Sequence, residues 1–171
     1  TDLIQHTIYR GLYVIPADMS LAALDLDGSL PDDVHGRPPR ERALRALTDL
    51  CDAVIEDDAY DYIIIDCPPA FSLASISAIA ASTDIVIPLK PGGFEIDGMA
   101  ELTRQVESVR RVSPSVRIAG VLLTMWYNDP DIIGVEDWLR KNSGQRVFNS
   151  HIRLSRPVDK SVLGGEPICQ W

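Results

Sequence analysis

Asp66, Cys67, Pro68 and Pro69 close a run of three isoleucines, Ile63 to Ile65. Isoleucines in series predict a strand buried on both faces, as at the centre of a parallel sheet. A carboxylate at the tip of such a strand is costly to desolvate and needs a cation or hydrogen-bond donors beside it. Ligands of open α/β sheets bind at the carboxyl ends of the strands. An acid on that edge, followed by a stiff Pro-Pro turn, points to a site for phosphate and magnesium. The competing reading is structural: Asp66 caps a helix that begins near Ser72.

Other reactive residues are more dispersed. Cys51, Cys67 and Cys169 are far apart, and His6, His35 and His151 are scattered, so no zinc-like spacing exists. An odd number of separated cysteines fits buried thiols in a reducing cytoplasm. Lys90 ends an apolar run, where it either reaches a phosphate or stands solvated. Met125 and Trp126 end another and either flank a ligand or pack as core. Arg104, Arg110, Arg111 and Arg117 cluster, with Glu101 and Glu107 among them. They suit either non-specific contact with phosphates or an ion-paired, solvated helix face. Arg140, Lys141 and Arg146 carry the same two readings.

The elements that must position these residues alternate. Residues 11–17 predict a short strand stopped by Pro16, and residues 1–10 show no clear start of either element. The proline- and glycine-containing stretch 27–39 predicts a loop. Leu44, Leu47, Cys51, Val54 and Ile55 recur at helical spacing from Arg40 to about Glu56. The Asp66 strand follows, then a small-residue helix over 72–81 and a strand over 84–90. Ile96, Met99, Leu102, Val106 and Val109 mark an amphipathic helix over 95–112. A strand over 118–124, a helix over 131–142 stopping near Ser143-Gly144, and a short strand over 147–152 complete the series. The chain then ends without a terminal helix. Strand–helix alternation predicts α/β: a mostly parallel sheet, helices on both faces, right-handed crossovers.

At 171 residues and 46% hydrophobic, the chain can bury one core, so a single domain over 1–171 is expected. Its formal net charge of −9 excludes a surface coated in positive charge, though not a local basic patch. No apolar run approaches the roughly 20 residues of a membrane span, and Thr1-Asp2-Leu3 lacks the basic start of a signal peptide.

Residues 60–69, then Ala78-Ile79-Ala80-Ala81-Ser82-Thr83-Asp84-Ile85-Val86-Ile87-Pro88, then Phe94-Glu95-Ile96-Asp97-Gly98-Met99 together resemble the ParA family of partition ATPases. So does Gly120-Val121-Leu122-Leu123-Thr124-Met125. Residues 137–144 with His151-Ile152-Arg153 look most like members from conjugative and integrative elements. The resemblance implies a deviant P-loop NTPase, cytoplasmic, that forms a homodimer around ATP and Mg2+. It further implies non-specific binding of duplex DNA, a ParB-like partner and no membrane association. Asp66 falls on the Walker B acid, the catalytic and magnesium-holding position. Cys67, Pro68 and Pro69 fall on the adjoining switch, which would respond to the γ-phosphate. Met125 is a candidate to flank the base, with core packing as its alternative, and Arg153, also counted with the nucleotide site, stands where many members carry the proline of an Ile-Pro pair beside the adenine. Arg104, Arg110, Arg111 and Arg117 would be the DNA contacts.

No G-x-x-x-x-G-K-[ST] occurs in the 171 residues. Phosphate binding draws on the backbone donors of that loop and its helix N-terminus. The resemblance therefore implies a fragment without the family's N-terminal strand and phosphate loop, which binds ATP weakly by itself. Two rivals remain open. One is a receiver-like phosphoacceptor module built on Asp66 and Lys90, although only Asp18 follows its first strand where an acidic pair is needed. The other is a non-catalytic interaction protein that retains the ATPase fold.

Overall fold

A computed structural model of the chain describes residues 3–17, 39–68, 72–92, 103, 104, 106–108, 110 and 113–168. They belong to two units, Thr1–Ala81 and Ser82–Trp171.

In the first unit, β1 (Gln5–His6) and β2 (Tyr13–Val14) form a short antiparallel hairpin. Gly11 turns at φ 78°, a conformation glycine adopts without steric cost. Thr7 Oγ1 locks the turn by donating to the Leu12 carbonyl at 2.8 Å. The strand expected over 11–17 thus shrinks to two residues, and its partner lies in the stretch where no element was expected. Local turn bonds, not apolar periodicity, build it.

Helix α1 (Pro39–Glu56) opens on a proline, whose missing N–H costs nothing at a first helical position. Cys51 and Val54 are buried, and Leu44 and Leu47 are half-buried on the expected stripe. Ile55, expected beside them, is 61% exposed. It lies one position round from Val54 and so leaves the packed face. Helix α2 (Leu73–Ala81) packs against α1. Its small side chains permit that approach, and Leu73, Ser75, Ser77, Ala78 and Ile79 are buried. Ser77 Oγ, although buried, donates to the Leu73 carbonyl at 2.7 Å.

The isoleucine run departs from expectation. Residues 62–68 form no strand, and Ile64 is 91% exposed. A strand buried on both faces needs a hydrogen-bonded neighbour on each edge and a layer on each face. Among the described residues the run has no strand partner. The sequence states a preference for burial that this arrangement leaves unmet.

The second unit holds the parallel sheet. β3 (Asp84–Leu89) and β4 (Arg117–Leu123) pair in parallel, Ile87 beside Val121 and Leu89 beside Leu123. Ile87, Leu89, Val121, Leu123, Trp126, Ile132, Leu139 and Val147 form one buried cluster. Of the helix expected over 95–112, residues 103, 104 and 106–108 are helical and Val106 is fully buried. The rest of its stripe and the loop at 27–38 lie outside the described residues.

Helix α3 (Pro130–Asn142) starts on clear local signals. Asp129 Oδ1 accepts from the Asp131 amide at 2.9 Å, and Pro130 opens the helix. Beyond it, the strand expected over 147–152 is reduced to parallel bridges at Val121–Val147 and Trp126–Arg153. The Arg140 guanidinium explains the interruption. It donates to the carbonyl of Phe148 (2.9 Å), which the next rung of the ladder to β4 would have used, and to that of Val147 (3.0 Å), which lies off that ladder. The sequence reading missed helix α4 (Arg156–Gly164) altogether. Its marks were present: Ser155 before it, Pro157 in its first turn, and Gly165 at φ 64° closing it.

Gly120 is the tightest point of β4. Its φ is 157°, and a Cβ built there would stand 2.7 Å from the Arg146 carbonyl oxygen. That oxygen accepts from the Val121 amide at 2.7 Å. Gly120→Ala must push the 146–148 segment off the sheet. Overpacking of this kind costs about 1–3 kcal/mol. Chemical denaturation of the variant with an unchanged midpoint would contradict the argument.

Candidate functional site

Asp66 occupies the extended segment 62–68 of the first unit. It is exposed and, among the described residues, has no hydrogen-bond or ion-pair partner. The helix after it is capped by Ser72, whose Oγ accepts from the Ser75 amide at 3.2 Å. The structural alternative, Asp66 as that cap, is thereby replaced by Ser72. Cys67 donates weakly to the Ile65 carbonyl at 3.8 Å. Desolvation and then the Asp66 carboxylate push its thiol up, away from a reactive thiolate. Pro68 is exposed, and Pro69 lies outside the described residues.

The second unit brings Met125 and Arg153 together around Trp126. Met125 lies two residues past β4 at φ 51°, half exposed, in a left-handed conformation uncommon outside glycine. Trp126 and the 152–154 segment bind through backbone: the Trp126 amide to Ile152 O (3.1 Å) and the Leu154 amide to Trp126 O (2.9 Å). The Arg153 guanidinium lies 5.6 Å from the centroid of the Trp126 ring, a cation–π contact. His151 stacks on the same indole at 4.6 Å, with planes 7° apart.

Glu136 of α3 ties this cluster down. Its carboxylate accepts from Trp126 Nε1 (3.0 Å), Arg140 Nε (3.0 Å) and Arg140 Nη2 (2.7 Å), and lies 3.0 Å from His151 Nε2. Burial opposes its charge, but the bonds from Arg140, His151 and Trp126 outweigh it and hold the carboxyl below its ordinary range. A carboxylate only accepts, so His151 carries its proton on Nε2. The sequence reading left Glu136 unnamed and His151 among scattered histidines. Only the i,i+4 spacing of Glu136 and Arg140 was visible beforehand.

A depressed acid stabilises the fold above its unfolded value, about 4.3, and loses that contribution as pH falls through its folded value. Wild-type stability is therefore expected to fall more steeply below about pH 4.3 than that of Glu136→Gln. Parallel stability–pH curves for the two proteins would contradict this.

The expected DNA arginines are dispersed in their bonding. Arg117 is engaged by Asp84, Nε to Oδ1 and Nη2 to Oδ2, across the start of the β3–β4 pair. Arg110 Nε donates to the Val116 carbonyl at 3.1 Å. Arg104 is exposed on the helical stretch, and Arg111 lies outside the described residues. Of the second cluster, Arg140 is consumed by Glu136 and backbone carbonyls, while Arg146 lies over the Phe148 ring at 5.2 Å. Lys90 is exposed.

No group of three or more His, Cys, Asp or Glu side chains among the described residues could hold a metal by itself. A single exposed carboxylate such as Asp66 still suits magnesium. That ion takes hard oxygen ligands, often one protein carboxylate with water and substrate phosphates. Among the described residues, no helix is long and apolar enough to cross a membrane.

A family model described as an AAA domain matches residues 1–118. The chromosome partitioning protein ParA of Caulobacter vibrioides is 30% identical over 169 residues, covering 98% of this chain and 60% of ParA. The sporulation initiation inhibitor protein Soj of Bacillus subtilis is 31% identical over 169 residues, covering 98% of this chain and 62% of Soj. The chain belongs to the ParA/Soj-like family of partition ATPases. It spans about three fifths of the length of these relatives. An ATP complex of Cyanothece McdA matches with a TM-score of 0.78 at 19% identity, over 99% of this chain and 63% of that one. At that identity the likeness shows the fold, the mostly parallel α/β architecture of P-loop NTPases. ParA/Soj membership also removes the receiver-like alternative, whose fold is a different doubly wound sheet.

Proposed function

We propose that this ParA/Soj-like chain is part of an ATPase that partitions or positions DNA cargo. The observation that carries the reading is Asp66: an exposed carboxylate, unpartnered among the described residues, two positions before Pro68, in a chain whose family matches over 118 residues. The intact protein would bind ATP and Mg2+ in the cytoplasm, form a homodimer and hold duplex DNA without reading its sequence. A ParB-like protein would be its partner. Bound magnesium would neutralise the developing phosphate charge; Asp66 would hold its shell and orient the attacking water. Cys67, Pro68 and Pro69 would form the switch, and Met125 and Arg153 would flank the base. The names of ParA, Soj and the McdA–ATP complex support the reading.

ATP turnover by the intact protein, dependent on magnesium and stimulated by duplex DNA, is the deciding measurement. DNA-bound protein without turnover would favour a non-catalytic interaction protein. In the proposed dimer Arg104, Arg110, Arg111 and Arg117 contact phosphates, with Arg117 released from Asp84. Counterion release then makes affinity fall steeply with salt. Arg110→Ala with Arg111→Ala is expected to flatten the log–log salt slope by up to about two units per protomer. An unchanged slope would return these arginines to a solvated helix face.

A further inference from the structure

Glu136 sits on the well-capped α3 and engages three separate groups of the Met125–Arg153 region at once. Both of its oxygens are committed: Oε2 to the indole, Oε1 to Arg140 and His151. The backbone bonds between Trp126 and residues 152 and 154 fix where the two strands of this loop pair lie. They do not fix the plane of the indole. Within its packing in the buried cluster, that plane is held by the Nε1–Glu136 bond and by the stacked His151 ring, itself held by Glu136. Arg153 rests on the indole, and Met125 precedes it in a constrained backbone conformation. A shift of Glu136 is therefore transmitted to Arg153 through one rigid ring, and to Met125 through the backbone it shares with Trp126.

We infer that Glu136 is a positioning residue for nucleotide binding, orienting Met125 and Arg153 through Trp126 and His151 without touching the ligand. The inference rests on the reading of Met125 and Arg153 as base-flanking. It adds that the helix α3, outside the phosphate site, decides how well the base is held. Glutamine at 136 keeps the shape but has one acceptor oxygen, so it can serve the indole or the Arg140–His151 pair, not both.

The test uses the intact protein and ATP, with KM and kcat measured separately. Glu136→Ala should raise KM about tenfold, the scale of one charge-assisted hydrogen bond, and Glu136→Gln by less. Trp126→Phe, which removes only the indole donor and keeps an aromatic ring, should raise KM as well. In all three kcat should stay within about twofold of wild type. A merely structural role would shrink the active fraction, lowering kcat and leaving KM alone; that result overturns the inference. Should Glu136→Ala fail to fold, Glu136→Gln and Trp126→Phe decide the matter in the same way. Met125→Ala with Arg153→Ala separates the two claims. If this pair leaves KM unchanged, the base-flanking reading falls; if it raises KM while the Glu136 variants do not, only the positioning role falls.

Discussion

Asp66→Ala in the intact protein is expected to lower kcat for ATP by roughly 10²–10³-fold while leaving the fold in place. The first half rests on chemistry. Removing a group that organises charge around a transition state commonly costs about 2.7–4 kcal/mol. The second half rests on the structure. Asp66 is exposed and, among the described residues, unpartnered, so its loss strands no buried polar atom. Substitutions at such positions usually change stability by less than about 0.5 kcal/mol. Steady-state turnover and a denaturation midpoint measured on the same preparation check both halves. Activity within about twofold of wild type, under ~0.5 kcal/mol of barrier, would remove Asp66 from the Walker B role. A large fall in the midpoint would mean that it holds the fold instead.

The largest effect on stability is expected at Leu139. This side chain of α3 is fully buried among Val121, Leu123, Ile132 and Val147. It joins the helix that carries Glu136 to the β3–β4 sheet. Leu139→Ala removes three carbons from a closed site and should cost about 2–5 kcal/mol, by lost transfer energy and the cavity left behind. Ile133, on the same helix but 40% exposed, is the control; Ile133→Ala should cost much less. Urea denaturation of the two variants separates them, and equal midpoints would show that the α3–sheet contact does not carry the unit.

Much of this arrangement was legible beforehand because it is written in short range. The elements α1, α2, β3, β4 and α3 follow from periodicity, as with the apolar run 85–89 in a buried strand, while the signals that fix their starts, Pro39, Pro130, Ser72 and Asp129, are equally local but emerge only in the structure. Where the signal was equally local but unread, at Ser155, Pro157 and Gly165, α4 was missed. The hairpin 5–14 was missed because its turn rests on Thr7 and Gly11, not on apolar alternation.

The sequence by itself determined the family and its α/β order, and it singled out Asp66 by type and setting. These are properties of neighbouring residues and their spacing. Only the tertiary structure decided what requires distant partners. Ile63 to Ile65 carry the composition of a buried strand, yet Ile64 is exposed, because a strand is made by its neighbours as much as by its residues. Arg117 and Arg140 look alike on paper. Asp84, 33 residues away, engages one, while Glu136 and two backbone carbonyls absorb the other. Trp126, Glu136 and His151 are separated by 10 and 15 residues. No local pattern joins them, and the cluster exists only because α3 and the 146–154 segment both pack on β4.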